Sequence, residues 1–80
     1  MRLICQVLSA PTYNTRKIRV SGPFGQDDTI VPSDAVHIRQ DGTWSVDVSA
    51  IRDEHGTNSY VQLPCLQGRY CYWVFSSCLV

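Results

Sequence analysis

Apolar and polar residues alternate along almost the whole chain, and the alternation breaks at turn residues every eight to twelve positions. No stretch repeats apolar residues at helical spacing over three turns. The strong helix formers are scarce, with three alanines, one Glu, one Lys and one Met. A period of two puts alternate side chains on opposite faces of a strand, and regular turn signals fold such strands back on one another. The expectation is one all-β domain over residues 1–80, an antiparallel β-sandwich or partly open barrel of about six to seven strands.

The strands can be placed by their boundaries. The first spans Arg2 to Ser9 and is apolar on both faces except at Gln6. "APTYNT" leads to a second over Arg16–Ser21, where Ile18 and Val20 alternate with Lys17, Arg19 and Ser21. "GPFGQDD" reads as a loop, Thr29–Val31 as a short strand, and Ala35–Arg39 as another after Pro32. "RQDGTWSVDVSAIRDEHGTNSYVQLP" then reads as strand, tight turn, strand, loop and strand.

Register decides two turns. A two-residue loop at Asp41-Gly42 would set Ile38 against Ser45 and mix the faces. A three-residue loop, Gln40-Asp41-Gly42, pairs Ile38 with Trp44 and Val36 with Val46, with Gly42 in the left-handed region. By the same reasoning Leu66-Gln67-Gly68 closes the last hairpin. Leu63 then faces Cys71, Val61 faces Trp73 and Ser59 faces Phe75, and these form the core side. The other side carries Tyr60, Gln62, Tyr70, Tyr72 and Val74.

Three tyrosines on one non-core face suit an interface, because tyrosine offers a large area and a hydroxyl at low entropic cost. The competing reading is a second core layer whose hydroxyls reach water. Leu79 and Val80 at the end of "FSSCLV" extend the apolar surface and call for a cover. An 80-residue core buries only roughly 60–65% of the unfolded surface, so a partner that completes it is in keeping.

Seven basic and seven acidic residues cancel, which removes the overall field that draws in nucleic acid. "YNTRKIR" mixes aromatic and basic residues, but its few positive charges make nucleic acid an unexpected partner. The first twenty-five residues hold Arg2, Arg16, Lys17 and Arg19 and no acid, and Asp27, Asp28 and Asp34 follow. Two readings stay open. Arg16, Lys17 and Arg19 meet these aspartates either within one surface or between repeated copies.

Catalytic groupings are not legible. The chain lacks G-x-S-x-G, H-E-x-x-H and the phosphate-binding glycine loops, so an enzyme is not expected. His37 is expected to point outward between Val36 and Ile38, and His55 to lie in the loop "RDEHGTN". Cys5, Cys65, Cys71 and Cys78 are separated by 59, 5 and 6 residues, with no C-x-x-C. Three disulfide pairings are open in an oxidising compartment. Free buried thiols suit a chain made in a cytosol, and no metal or cofactor is expected. The apolar run of "MRLICQVLSAP" is too short for a signal peptide, and no segment reaches membrane-helix length.

"DGTWSVDVSAI" with "GTNSYVQLP" resembles a segment of small all-β domains in bacteriophage virion proteins, of the capsid-decoration (cement) or tail-fibre adaptor type. The likeness covers about residues 36 to 74. It implies a non-enzymatic protein of a virus particle, made in the host cytoplasm, that spaces, decorates or attaches. Its expected partners are other virion subunits or copies of itself. The alternative is a small monomeric phage-encoded inhibitor that binds a host protein through the same face.

Overall fold

The computed structural model describes all 80 residues. Eight strands form, in chain order β1 (Arg2–Ser9), β2 (Thr15–Gly22), β3 (Gly25–Pro32), β4 (Val36–Ile38), β5 (Trp44–Asp47), β6 (Ala50–His55), β7 (Asn58–Gln62) and β8 (Cys71–Phe75). They make two antiparallel sheets, ordered β3-β2-β1-β5-β4 and β6-β7-β8. The two are open sheets packed face to face, a sandwich rather than a closed barrel. The eighth strand, beyond the expected number, is β6, which occupies most of the predicted loop "RDEHGTN". Its residues are charged because it is an exposed edge, and edge strands carry charge to discourage pairing with other chains.

The second correction is at "GPFGQDD". Only Pro23 and Phe24 turn; β2 and β3 pair through eight positions, from Thr15–Pro32 to Gly22–Gly25. Pro23 presets the turn and Gly25, at φ 112°, resumes the strand. The expected three-residue loop at Gln40–Gly42 is present, with Ile38 opposite Trp44, Val36 opposite Val46 and Gly42 at φ 87°.

The last hairpin differs by one residue. Gln62 faces Cys71, Val61 faces Tyr72, Tyr60 faces Trp73 and Ser59 faces Val74. β7 keeps its expected faces, but β8 is turned over, because a one-residue slip moves every side chain to the other side. The connection is wider than three residues. Leu63 N–H donates to the Tyr70 carbonyl at 2.8 Å, and Leu66 N–H donates across to Ile30 of β3 at 3.0 Å. Docking this loop on β3 sets the register, and that contact lies some 36 positions away in sequence.

The core lies between the sheets. Leu3, Ile18, Val20, Val31 and Val46 come from the larger sheet, and Val61, Tyr72 and Val74 with the adjoining Leu63 from the smaller. At roughly 1.5–3 kcal/mol for each fully buried aliphatic side chain, this cluster supplies most of the drive to fold. Val48 and Ser49 carry the chain between sheets, their N–H groups donating to Met1 and Gln62 carbonyls at 2.9 and 2.8 Å. The C-terminus is pinned beside β1 by two bonds between Arg2 and Val80, at 3.2 and 2.9 Å. Leu79 is therefore packed against the core and is not an exposed end, whereas the Val80 side chain is exposed.

Candidate binding face

The outer face of β6-β7-β8 carries three aromatic residues that the core does not use, Tyr60, Trp73 and Phe75, while Tyr13, Trp44 and Tyr70 lie elsewhere. Tyr60 and Trp73 are directly opposite across β7 and β8, with ring centroids 5.2 Å apart and planes tilted by 36°. Such an offset pair is attractive and holds both rings in place. Phe75 continues the row of β8 and is 41% exposed. Phe24, at the tip of the β2–β3 turn, is 86% exposed and stands beside Trp73. Pro23, Phe24, His55, Asn58 and Trp73 enclose an open cleft of about 300 Å³.

Gly22 is what brings the turn there. Its α-carbon lies against the β8 backbone so closely that a β-carbon would come 1.9 Å from the Trp73 carbonyl oxygen. β2 and β8 thus touch main chain to main chain, and Phe24 is carried to the end of the smaller sheet.

The residues expected at an interface separate into three groups. Tyr60 and Gln62 are on this face, and Gln62 Oε1 accepts from Arg52 Nε at 2.9 Å. Tyr70 is 56% exposed but lies in the loop before β8, off the face. Tyr72 and Val74 belong to the core, and this corrects their expected place: Tyr72 is only 5% exposed, and its hydroxyl donates to the Arg69 carbonyl at 2.7 Å. The Arg69 guanidinium lies 4.4 Å over its ring. Trp73, Phe75 and Phe24 were missed. The aromatic count of β8 was legible; the register that turns Trp73 outward was not.

The charged residues mostly meet each other within the chain. Arg19 and Asp28 are cross-strand partners in the β2–β3 hairpin, joined by two hydrogen bonds of 2.7 and 3.0 Å. The guanidinium holds the Asp28 carboxyl below its ordinary range. Asp27 pairs with Arg69 at 3.0 Å. Arg16 Nη1 donates to the carbonyls of Thr12, Tyr13 and Thr15. Of the six charged residues expected to join copies, Arg19, Asp27 and Asp28 are paired within the chain, while Arg16, Lys17 and Asp34 are in no ion pair.

Sheet edges offer less than this face. β6 is charged and bulged between Ile51 and Asp53, β3 is met by Leu66, and β4 is three residues long. Each device discourages an added strand.

One grouping has the residue types of a nucleophilic relay. His37 Nε2 is 3.0 Å from Asp47 Oδ1, and Ser45 is opposite His37 in the sheet. The Ser45 hydroxyl is buried and bonded to neither, so a substrate carbonyl has no path to it.

All four cysteines are free thiols. Burial pushes the Cys5 thiol up to about 11. The protonated form is the one the fold accommodates, so Cys5 costs nothing below the unfolded-chain value near 8.5. Stability is then lost as pH rises from there through about 11, by on the order of 2 kcal/mol. Urea midpoints at pH 8 and pH 10.5 should fall further apart in the native sequence than in Cys5→Ala. Equal falls would show that Cys5 ionises freely in the folded state.

The fold and face together define a small antiparallel β-sandwich with an exposed aromatic surface on its smaller sheet. Compared with known protein families, characterised proteins and solved structures, the chain matches none.

Proposed function

We propose that this chain is a non-enzymatic binding protein that works through the outer face of β6-β7-β8. The observation that carries the reading is the Tyr60–Trp73 pair, held side by side on that face with Phe24 and Phe75 beside it. Aromatic rings left on a rigid surface are the usual anchors of protein interfaces, and partly buried tryptophan and tyrosine dominate their energetics. The resemblance over residues 36 to 74 supports a role on a virus particle, decorating or cementing a capsid or joining parts of a tail or fibre. Its partner there is another virion subunit or a further copy of the chain. A small core suits a protein completed by its neighbours.

The face can be tested by photocrosslinking in the producing cell. Benzoylphenylalanine at position 24 or 75 replaces one aromatic by another on the face, and at position 13 it replaces an exposed tyrosine elsewhere. A defined adduct from 24 and 75 but not from 13 is the expected result, and its mass identifies the partner. No adduct, or the same adduct from all three positions, would overturn the proposal. A virion subunit as partner favours the particle role, and a host protein favours the inhibitor.

A further inference from the structure

We infer that the larger sheet, away from the aromatic face, takes up a short, uncharged, extended tail of a partner protein. The tail adds as a strand beside Gln6–Ser9 and fills a gap in the sheet. β1 lies between β2 and β5, but neither neighbour covers its whole length. β5 pairs with Arg2–Cys5 and β2 with Gln6–Ser9, so two half-edges of β1 are left over. The first, on the β2 side, is closed by the chain's own end, where Arg2 exchanges both main-chain bonds with Val80. The second, on the β5 side, is bare. The β1–β5 ladder stops at Cys5–Trp44, and no loop bond reaches Gln6–Ser9. Because Arg2 points its N–H and C=O to the β2 side, alternation turns those of Val7 to the β5 side, into the gap.

The walls of the gap select what it accepts. It is an open cleft of about 560 Å³ between Ile4, Val7 and Leu8 on one side and Thr43 and Trp44 on the other. Val7 lacks main-chain partners, and an extended segment supplies them; strand addition at a bare edge is a general mode of peptide recognition. An antiparallel segment exchanges both bonds with Val7 and continues the pairing of the rest of the sheet. The residue opposite Val7 shares its face, the core side, and is therefore apolar. Leu3–Ser9 carries no charge, so a charged side chain laid on it would lose water and gain no partner. Trp44 fixes the length. It occupies the place opposite Cys5, so the added segment ends there, as a chain tail does. The same obstacle excludes β1 of a second copy. Antiparallel pairing of two copies about Val7 would set Ser9 of each against Cys5 of the other, where Trp44 already sits.

The test combines amide hydrogen exchange with an amide-shift titration of the intact 80-residue chain by the capped peptide acetyl-Thr-Ile-Val-Thr-amide. In the free protein the Val7 amide should exchange like a loop amide, while Cys5, in the β5 ladder, is protected. At roughly ten times its dissociation constant, the peptide should slow Val7 exchange about tenfold. Shifts should be confined to Ile4–Ser9 and Thr43–Trp44. The same peptide with N-methylvaline for valine keeps every side chain and loses the N–H that donates to the Val7 carbonyl, and it should bind about tenfold more weakly. Four results would overturn the inference. They are a Val7 amide already slow in the free protein, no saturation by about 10 mM peptide, equal binding of the N-methyl peptide, and shifts mapping to β3, β4 or β6. Val7 protection that grows with protein concentration in the absence of peptide would also overturn it, by putting a second copy in place of the tail.

Discussion

Gly22→Ala is expected to unfold this protein or to lower its stability by about 3 kcal/mol or more, an unusual result for one added methyl group. The new carbon would lie 1.9 Å from the Trp73 oxygen, 2.8 Å from the Trp73 carbonyl carbon and 3.0 Å from the Val74 α-carbon. All three are main-chain atoms, so no rotamer change relieves the overlap. The strands must part instead, which opens the sandwich beside Val20 and Val74, both buried. Gly22 has no positive φ, so its requirement is for space and not for backbone freedom. A melting experiment decides the point. A fall of more than about 10 °C is expected for a domain of this size, and Ser21→Ala, its neighbour, should move the midpoint little. A Gly22→Ala midpoint near the native one would mean that β2 and β8 are not in main-chain contact.

Tyr72→Ser is the second large effect. Tyr72 is closed in by the core, and removing a buried aromatic ring costs roughly 3–5 kcal/mol through lost transfer energy and the cavity left behind. Tyr72→Phe separates the two contributions. It keeps the ring and loses only the 2.7 Å hydrogen bond to Arg69, for about 1 kcal/mol. Tyr70→Ser should change stability by less than about 0.5 kcal/mol, since its ring is largely in solvent. Urea denaturation of the three variants gives the comparison. If Tyr72→Ser were as stable as Tyr70→Ser, the two tyrosines would share the surface that alternation alone assigned to them.

These two positions also mark how far the sequence can be read. Alternation and turn spacing gave the all-β class, the bounds of β1 and, through Ile38–Trp44, the register of the β4–β5 hairpin. That hairpin was legible because its loop is short and its only consistent pairing keeps the apolar residues together. The β7–β8 hairpin was not, although the same reasoning was applied. Both Trp73-with-Phe75 and Tyr72-with-Val74 make plausible apolar faces, so the pattern along β8 has no preferred side.

β6 was hidden for a related reason. An exposed edge strand has no buried face, and its charged residues carry the composition of a loop. The aspartates Asp27 and Asp28 were read as loop residues by composition too, yet they sit in β3, one bonded to Arg69 and the other to Arg19.

By itself, then, the sequence determined that this chain forms strands, where most of them turn and which aromatic residues exist to be used. Those are local properties, set by side-chain period and by the conformations that glycine and proline allow. Only the tertiary structure decided which side of β8 faces the core and that Phe24 ends beside Trp73. The physical reason is that both depend on contacts between distant segments, Leu66 bonded to Ile30 and Gly22 pressed on the β8 backbone. Neither contact has a signature in the residues that it positions.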